Sequence, residues 1–212
     1  VEDILKSDKY LMTVLRAGII VGSGSASFEM IRDIVEKLPV LITPKWVLTK
    51  AQPIAISDVI TYLNGVLFHD RCYNQTFDIG GPEILTYKEM MLQYAQIRKL
   101  KRKLYSTSLI SPKVSSYWLF FITSVSYRLA KSLADSMKTE VICENNELEK
   151  ILKVNPITYE KAIKNAFIKI KQNLVLSSWK DSIISSSLGL SLSDFIEVPN
   201  FGCYKNDKSI KV

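Results

Sequence analysis

A nearly continuous apolar run, Met12 to Val21, leads straight into Gly22-Ser23-Gly24-Ser25, and this junction constrains the fold more than any other stretch of the chain. The run is broken only by Thr13, Arg16, Ala17 and Gly18. A strand that is apolar at almost every position belongs where both faces are covered, as in a parallel sheet. Met30, Ile31, Ile34, Val35 and Leu38 then recur at helical spacing over Phe28 to Leu38. Pro39 ends that helix, because proline cannot continue a helix interior. Strand, glycine turn and helix in succession predict an α/β layer architecture.

The rest of the chain repeats the alternation. Val40 to Ile42, Ile54 to Ile56, Thr76 to Ile79 and Leu104 to Leu109 read as short strands. Ser57 or Asp58 is placed to cap a helix through Leu67, its side-chain oxygen accepting from first-turn amides. Thr86-Tyr87-Lys88-Glu89 is a capping box for a helix to about Ile97. Pro112 opens a helical stretch through Ser136, and Val141 to Cys143 is a further short strand. Thr158-Tyr159-Glu160-Lys161 starts a helix whose stripe is Ala162, Ile163, Ala166, Phe167 and Ile170. Ser177 to Leu192 is serine-rich and without pattern, as a linker is.

A net charge of +7 raises the question of nucleic acid. The densest basic patch is Arg98, Lys99, Lys101, Arg102 and Lys103, just after a predicted helix, where cations suit the helix dipole. No aromatic residues interleave with it as a stacking platform requires, so we expect no nucleic-acid partner. No apolar run reaches the roughly 18 residues of a membrane span, so no membrane partner is expected either. Cys72, Cys143 and Cys203 lie far apart without metal-type spacing. They read as small buried hydrophobes in a reducing, cytoplasmic setting. Val1 in place of a Met leads us to expect sequence upstream.

Three motifs invite chemistry. The turn Gly22-Ser23-Gly24-Ser25-Ala26-Ser27 has the strand-to-helix context of a dinucleotide fingerprint. Ser27 replaces its third glycine, and Thr43-Pro44-Lys45-Trp46 stands where an acidic residue should end the next strand. It reads better as a turn lining a small-molecule ligand than as a primary cofactor loop. Tyr127–Lys131 and Tyr204–Lys208 match a tyrosine–lysine proton-donor pair, but neither is followed by a strand and glycine turn, and both are set aside. His69, the only histidine, has no nucleophile-elbow serine to serve and reads as a helix-end residue. We expect no catalytic residue and no metal site in this sequence.

Several segments, taken in order, carry a resemblance. Leu15-Arg16-Ala17-Gly18-Ile19-Ile20-Val21-Gly22 resembles the R-P-G-x-x-x-G stretch of extended short-chain dehydrogenases/reductases and sugar-nucleotide epimerases, with Ala17 in place of the proline. Gln52-Pro53-Ile54-Ala55-Ile56-Ser57-Asp58-Val59 is similar to their F-I-H-V-D-D-V-A segment. Phe77-Asp78-Ile79-Gly80-Gly81-Pro82-Glu83, with Tyr87-Lys88-Glu89, resembles their Y-N-I-G-G-P-E strand and following helix. Gly22 to Arg32, Ser115 to Met137 and Ser178-Trp179-Lys180-Asp181 look like atypical bacterial members, the YbjT-like nucleoside-diphosphate-sugar epimerases. In those a domain known as DUF2867 follows, and Val198-Pro199-Asn200-Phe201-Gly202-Cys203 looks like its opening.

The resemblance implies the C-terminal portion of a Rossmann-like parallel sheet with a small α/β substrate subdomain, over residues 1–175. A linker at 176–194 and the start of a following domain at 195–212 complete the expected layout. It implies that the family's cofactor turn and tyrosine–lysine pair lie upstream, Val1 to Leu5 resembling the end of the helix that carries or follows the pair. Backbone at Ala17, Gly18 and Ile19 would face the nicotinamide of NAD or NADP. Ser23, Gly24, Ser25, Ser27, Phe28, Gln52 and Pro53 would line the site of a small-molecule substrate, with Phe28 or Trp46 stacking on a ring. The implied activity is that of an NAD(P)-dependent oxidoreductase or epimerase, inactive in this portion alone. A non-catalytic dinucleotide-sensing module of the same fold is the alternative.

Overall fold

The computed structural model describes residues 10–107 and 127–171. The chain divides into two units, Val1–Leu176 and Ser177–Val212, and the described residues belong to the first. The apolar run at the start forms not one strand but two, β1 (Val14–Ala17) and β2 (Ile19–Val21), separated at Gly18. The Gly-Ser turn leads into α1 (Ala26–Lys37), which is followed by β3 (Val40–Pro44) and a tight turn over Lys45–Leu48. Next come β4 (Lys50–Ala51), β5 (Pro53–Ala55), α2 (Ile56–Val66) and β6 (Thr76–Ile79). β7 (Leu85–Thr86), α3 (Tyr87–Ile97) and β8 (Lys103–Thr107) complete the first stretch. Beyond it lie α4 (Tyr127–Ser136), α5 (Glu147–Leu152) and α6 (Tyr159–Lys171).

The fold is α/β, and among the described residues three of the four strand pairs are parallel. β1 pairs with β6 from Val14↔Thr76 to Ala17↔Ile79, and β2 with β5 from Ile19↔Pro53 to Val21↔Ala55. β3 runs parallel to β8, whereas β4 and β7 are antiparallel. Among the described residues each of β1 and β2 has a single strand partner.

Two apolar clusters hold the unit. The larger joins α1, α3 and α6, with Phe28, Tyr94 and Phe167 meeting ring to ring at centroid distances of 5.6 to 6.2 Å. The smaller lies under α2, where Val59, Tyr62 and Val66 cover Ile54, Phe77, Ile79 and Cys72. An outward stripe of α2 is apolar as well: Ile60 and Leu63, with Leu67 just past the helix end, are about half exposed, at 49%, 49% and 60%.

Several local expectations change against the structure. No side chain caps α2, which begins one residue before Ser57. Asp58 is drawn elsewhere, accepting the Ile157 N–H at 2.8 Å. His69 lies past the end of α2, beyond Phe68 with its φ of 58°, and heads the turn Asp70–Cys72 instead of closing the helix. The strand expected at Val141–Cys143 is a single bridge to Ala51. The basic patch serves helix ends, but mainly those of another helix. Arg102 donates to the carbonyls of Val35 and Glu36 in the last turn of α1, and Arg98 pairs with Glu36 at 3.1 Å. Of the helical stretch 112–136 only Tyr127–Ser136 falls within the described residues.

The capping box at α3 forms as read. Thr86 Oγ1 accepts from Glu89 N–H, and the Glu89 carboxylate accepts from Thr86 N–H at 2.7 Å. Those bonds to Thr86, backbone first, hold the Glu89 carboxyl below the usual carboxylate range. A depressed carboxyl stabilises the fold above its unfolded pKa, and that contribution fades as pH falls through the folded value. Thr86→Ala is therefore expected to cost about 1 kcal/mol in urea denaturation at neutral pH. The wild type's margin over Glu89→Gln should narrow as pH drops below about 4; a margin independent of pH would contradict this account.

Candidate functional site

The site is built where strand pairing passes from β6 to β5. After Ile79, Gly80-Gly81 turns so tightly past Pro53 that Gly81 N–H donates to the Pro53 carbonyl at 3.1 Å. A Cβ on Gly81 would lie 2.1 Å from that carbonyl oxygen. The Gln52 carboxamide locks the junction. Its Nε2 donates to the Gly81 carbonyl at 2.6 Å and its Oε1 accepts from Cys143 N–H at 3.0 Å. Gly18 faces the same junction: a Cβ there would come within 2.5 Å of the Val141 side chain.

A cavity of about 280 Å³ opens at the carboxyl ends of β2 and β5. Its floor is Val21-Gly22-Ser23 on one strand and Ala55-Ile56-Ser57 on the other. Its roof is Ile157 and the α6 face of Ala162, Asn165, Ala166 and Lys169, with Ile168 at the side. The volume is close to the lower end of ligand pockets, about 300 Å³. Among the described residues that line it, Lys169 is the only charged one. The roof is fastened by two carboxylates: Asp58 accepts Ile157 N–H, and Glu83 accepts Tyr159 N–H at 2.7 Å, at the start of α6.

Proton-transfer groups are scarce here. Burial pushes the phenols of Tyr62 and Tyr87 up to about 12, and those of Tyr94 and Tyr159 higher still. The Cys143 thiol is pushed up to about 11 by burial and then by the charge of Asp78, so it is no thiolate at neutral pH. No group of three or more His, Cys, Asp or Glu residues is arranged to hold a metal ion among the described residues. Nor is any helix among them long and apolar enough to cross a membrane.

Of the residues named from sequence, Ser23 reaches the cavity, beside Gly22. Gly24 adopts a φ of 85°, which lets the turn close. Ser25 is the cap of α1: its hydroxyl donates to Ile20 C=O at 2.6 Å and accepts from Phe28 N–H. Ser27 is half-buried in the first turn of α1. Phe28 is only 2% exposed and lies in the aromatic trio, so its ring is core and not a ligand platform. Trp46 likewise is buried, edge-on against Tyr87. Gln52 and Pro53 are buried in the strand junction. Ala17 and Ile19 are held in the ladders on either side of Gly18, whose backbone belongs to neither pairing.

Ser57, Asn165 and Lys169 enter the site without having been read as site residues. Ala162, Asn165, Ala166 and Lys169 share one helix face at spacings of three and four, and that periodicity was the available signal. Tyr127 and Lys131 sit on α4, and Lys131 is exposed; Tyr204 and Lys208 lie outside the described residues. Cys72 and Cys143 are free thiols, Cys72 fully buried.

No family model matches this chain, and no curated protein matches it in sequence. Solved structures do match in fold. An NADPH-dependent quinone oxidoreductase from Escherichia coli aligns with TM-score 0.61 and 16% identity, over 78% of this chain and 57% of that one. A nucleoside-diphosphate-sugar epimerase from Staphylococcus aureus aligns with TM-score 0.58 and 12% identity, over 77% and 55%. A triphenylmethane reductase from Citrobacter sp. aligns with TM-score 0.54 and 13% identity, over 73% and 53%. The fold is thus the Rossmann-like fold of these reductases and epimerases, and the chain spans little more than half the length of each.

Replacing Gln52 by Met keeps its bulk but leaves the Gly81 carbonyl and the Cys143 N–H unpaired. Each buried orphan costs about 1–3 kcal/mol, so Gln52→Met should lower the urea midpoint clearly. A variant as stable as wild type would show that the carboxamide does not hold the junction.

Proposed function

We propose that this chain is the C-terminal, substrate-side part of an NAD(P)-dependent oxidoreductase or epimerase, inactive by itself. The observation that carries this reading is the cavity at the carboxyl ends of the parallel strands β2 and β5. In open α/β folds, ligands bind at those ends. The shared fold with cofactor-dependent reductases and epimerases points the same way, as does a chain little more than half their length. The strand β1–β2 keeps one unpaired side among the described residues, and the outward stripe of α2 is apolar. Both surfaces suit a dinucleotide-binding half that adds strands and helices.

The residues present fit one end of the cofactor only. Gly18, between the two pairings, offers backbone to a nicotinamide flanked by Ala17 and Ile19. The Gly22–Ser25 turn does not suit the pyrophosphate, since Ser25 already caps α1. The cofactor would supply hydride chemistry, and the residues of this chain would position the substrate through Ser23 and Ser57. On this reading residues 195–212 begin a following DUF2867-type domain, and the protein works in the cytoplasm.

Isothermal titration of NADH and NADPH into this chain and into a version extended upstream provides the test. Binding by the extended protein alone is the expected result. Tight binding by the 212-residue chain, or none by either, would contradict the reading.

A further inference from the structure

The cavity is chemically one-sided, which bears on what it takes. Val21, Ile56, Ala162 and Ala166 make an apolar body, while Ser23, Ser57, Asn165 and Lys169 supply its polar atoms. Among the described residues no carboxylate lines it. The nearest in sequence, Asp58, is buried and engaged with Ile157 N–H and the Ser57 hydroxyl. Lys169 stands on the same α6 face as Asn165 and, among the described residues, makes no ion pair and is the single charge bordering the space. An unpaired cation over an apolar, acid-free cavity favours a ligand with its own negative group. The volume, about 280 Å³, suits a single ring with a small substituent.

We infer that this cavity binds a small ring-bearing organic anion, its ring against Ile56 and Ala162 and its charged group toward Lys169 and Asn165. The inference deepens the substrate site proposed above and rests on that reading for the ligand's role as substrate. It differs from the second, polar recess between α3 and α6, where Glu83 and Glu160 bring negative charge and Lys164 is already paired with Glu160. That recess offers no comparable selectivity for an anion.

The test uses the full 212-residue chain without cofactor, with benzoate and benzamide as probes of equal ring and similar size. Calorimetry or ligand-observed NMR should show benzoate binding at least about ten-fold more tightly than benzamide, a preference set by the charge. Lys169→Gln should bring benzoate down to the benzamide level. Asn165→Trp, which places a large ring over the mouth, should abolish both. Both positions are exposed on α6, and circular dichroism is to check that each variant folds. Equal binding of the two probes, a preference that survives Lys169→Gln, or no binding of either would overturn the inference. Because no dinucleotide is present, these outcomes are independent of the NADH titration: anion selectivity can stand while the dehydrogenase reading fails, and the reverse.

Discussion

The closeness of backbone approach at Gly80-Gly81 is the constraint on which the rest of the unit depends. Only a residue without Cβ can bring its amide to the Pro53 carbonyl, because any side chain at Gly81 would meet that oxygen at 2.1 Å. That approach lets one continuous stretch, Val14 to Val21, pair first with β6 and then with β5. Gln52 then joins both strands to the segment at Val141–Cys143, so three parts of the chain meet around one carboxamide. Position of the cavity follows directly, since its floor is the pair of strand ends that this junction aligns.

The roof depends on residues that the motifs place elsewhere for other apparent reasons. Asp58 and Glu83 belong to two of the three segments that resemble reductase motifs, yet in this structure both accept backbone N–H groups at the entry to α6. The same helix is held at its far side by Phe167 against Phe28 and Tyr94, with the Arg98 guanidinium 4.8 Å over the Phe167 ring. A charged–aromatic contact of that kind adds to apolar burial without requiring a partner anion. The helix therefore serves core packing and cavity lining at once, with Ala162 and Ala166 common to both.

What was legible in the sequence was what local chemistry decides. Thr76–Ile79 and the Thr86–Glu89 capping box form as read because strand pattern and cap need only neighbouring residues. The α6 stripe was equally plain, with Ala162, Ile163 and Ala166 buried. The split at Gly18 was not legible, since it arises from a change of partner strand and not from anything in Met12 to Val21. Gln52 and Ser25 read as ligand-lining residues because the family resemblance puts them there. Their actual partners are Gly81 and Cys143 for the one and Ile20 for the other. Phe28 shows the same limit: the helical period marks its face as apolar but does not tell core from pocket wall. The six-residue α5 escaped notice because so short a segment hardly shows a period.

The fastening of α6 also sets an order of events during synthesis. Its two carboxylate anchors join residues 99 and 76 positions apart, so the roof cannot close until the chain has grown well past the floor. At translation rates of about 5–20 residues per second, the strand ends wait on the order of ten seconds for α6 to emerge. The cavity thus gains its roof only after α6 has followed the strand ends out of the ribosome.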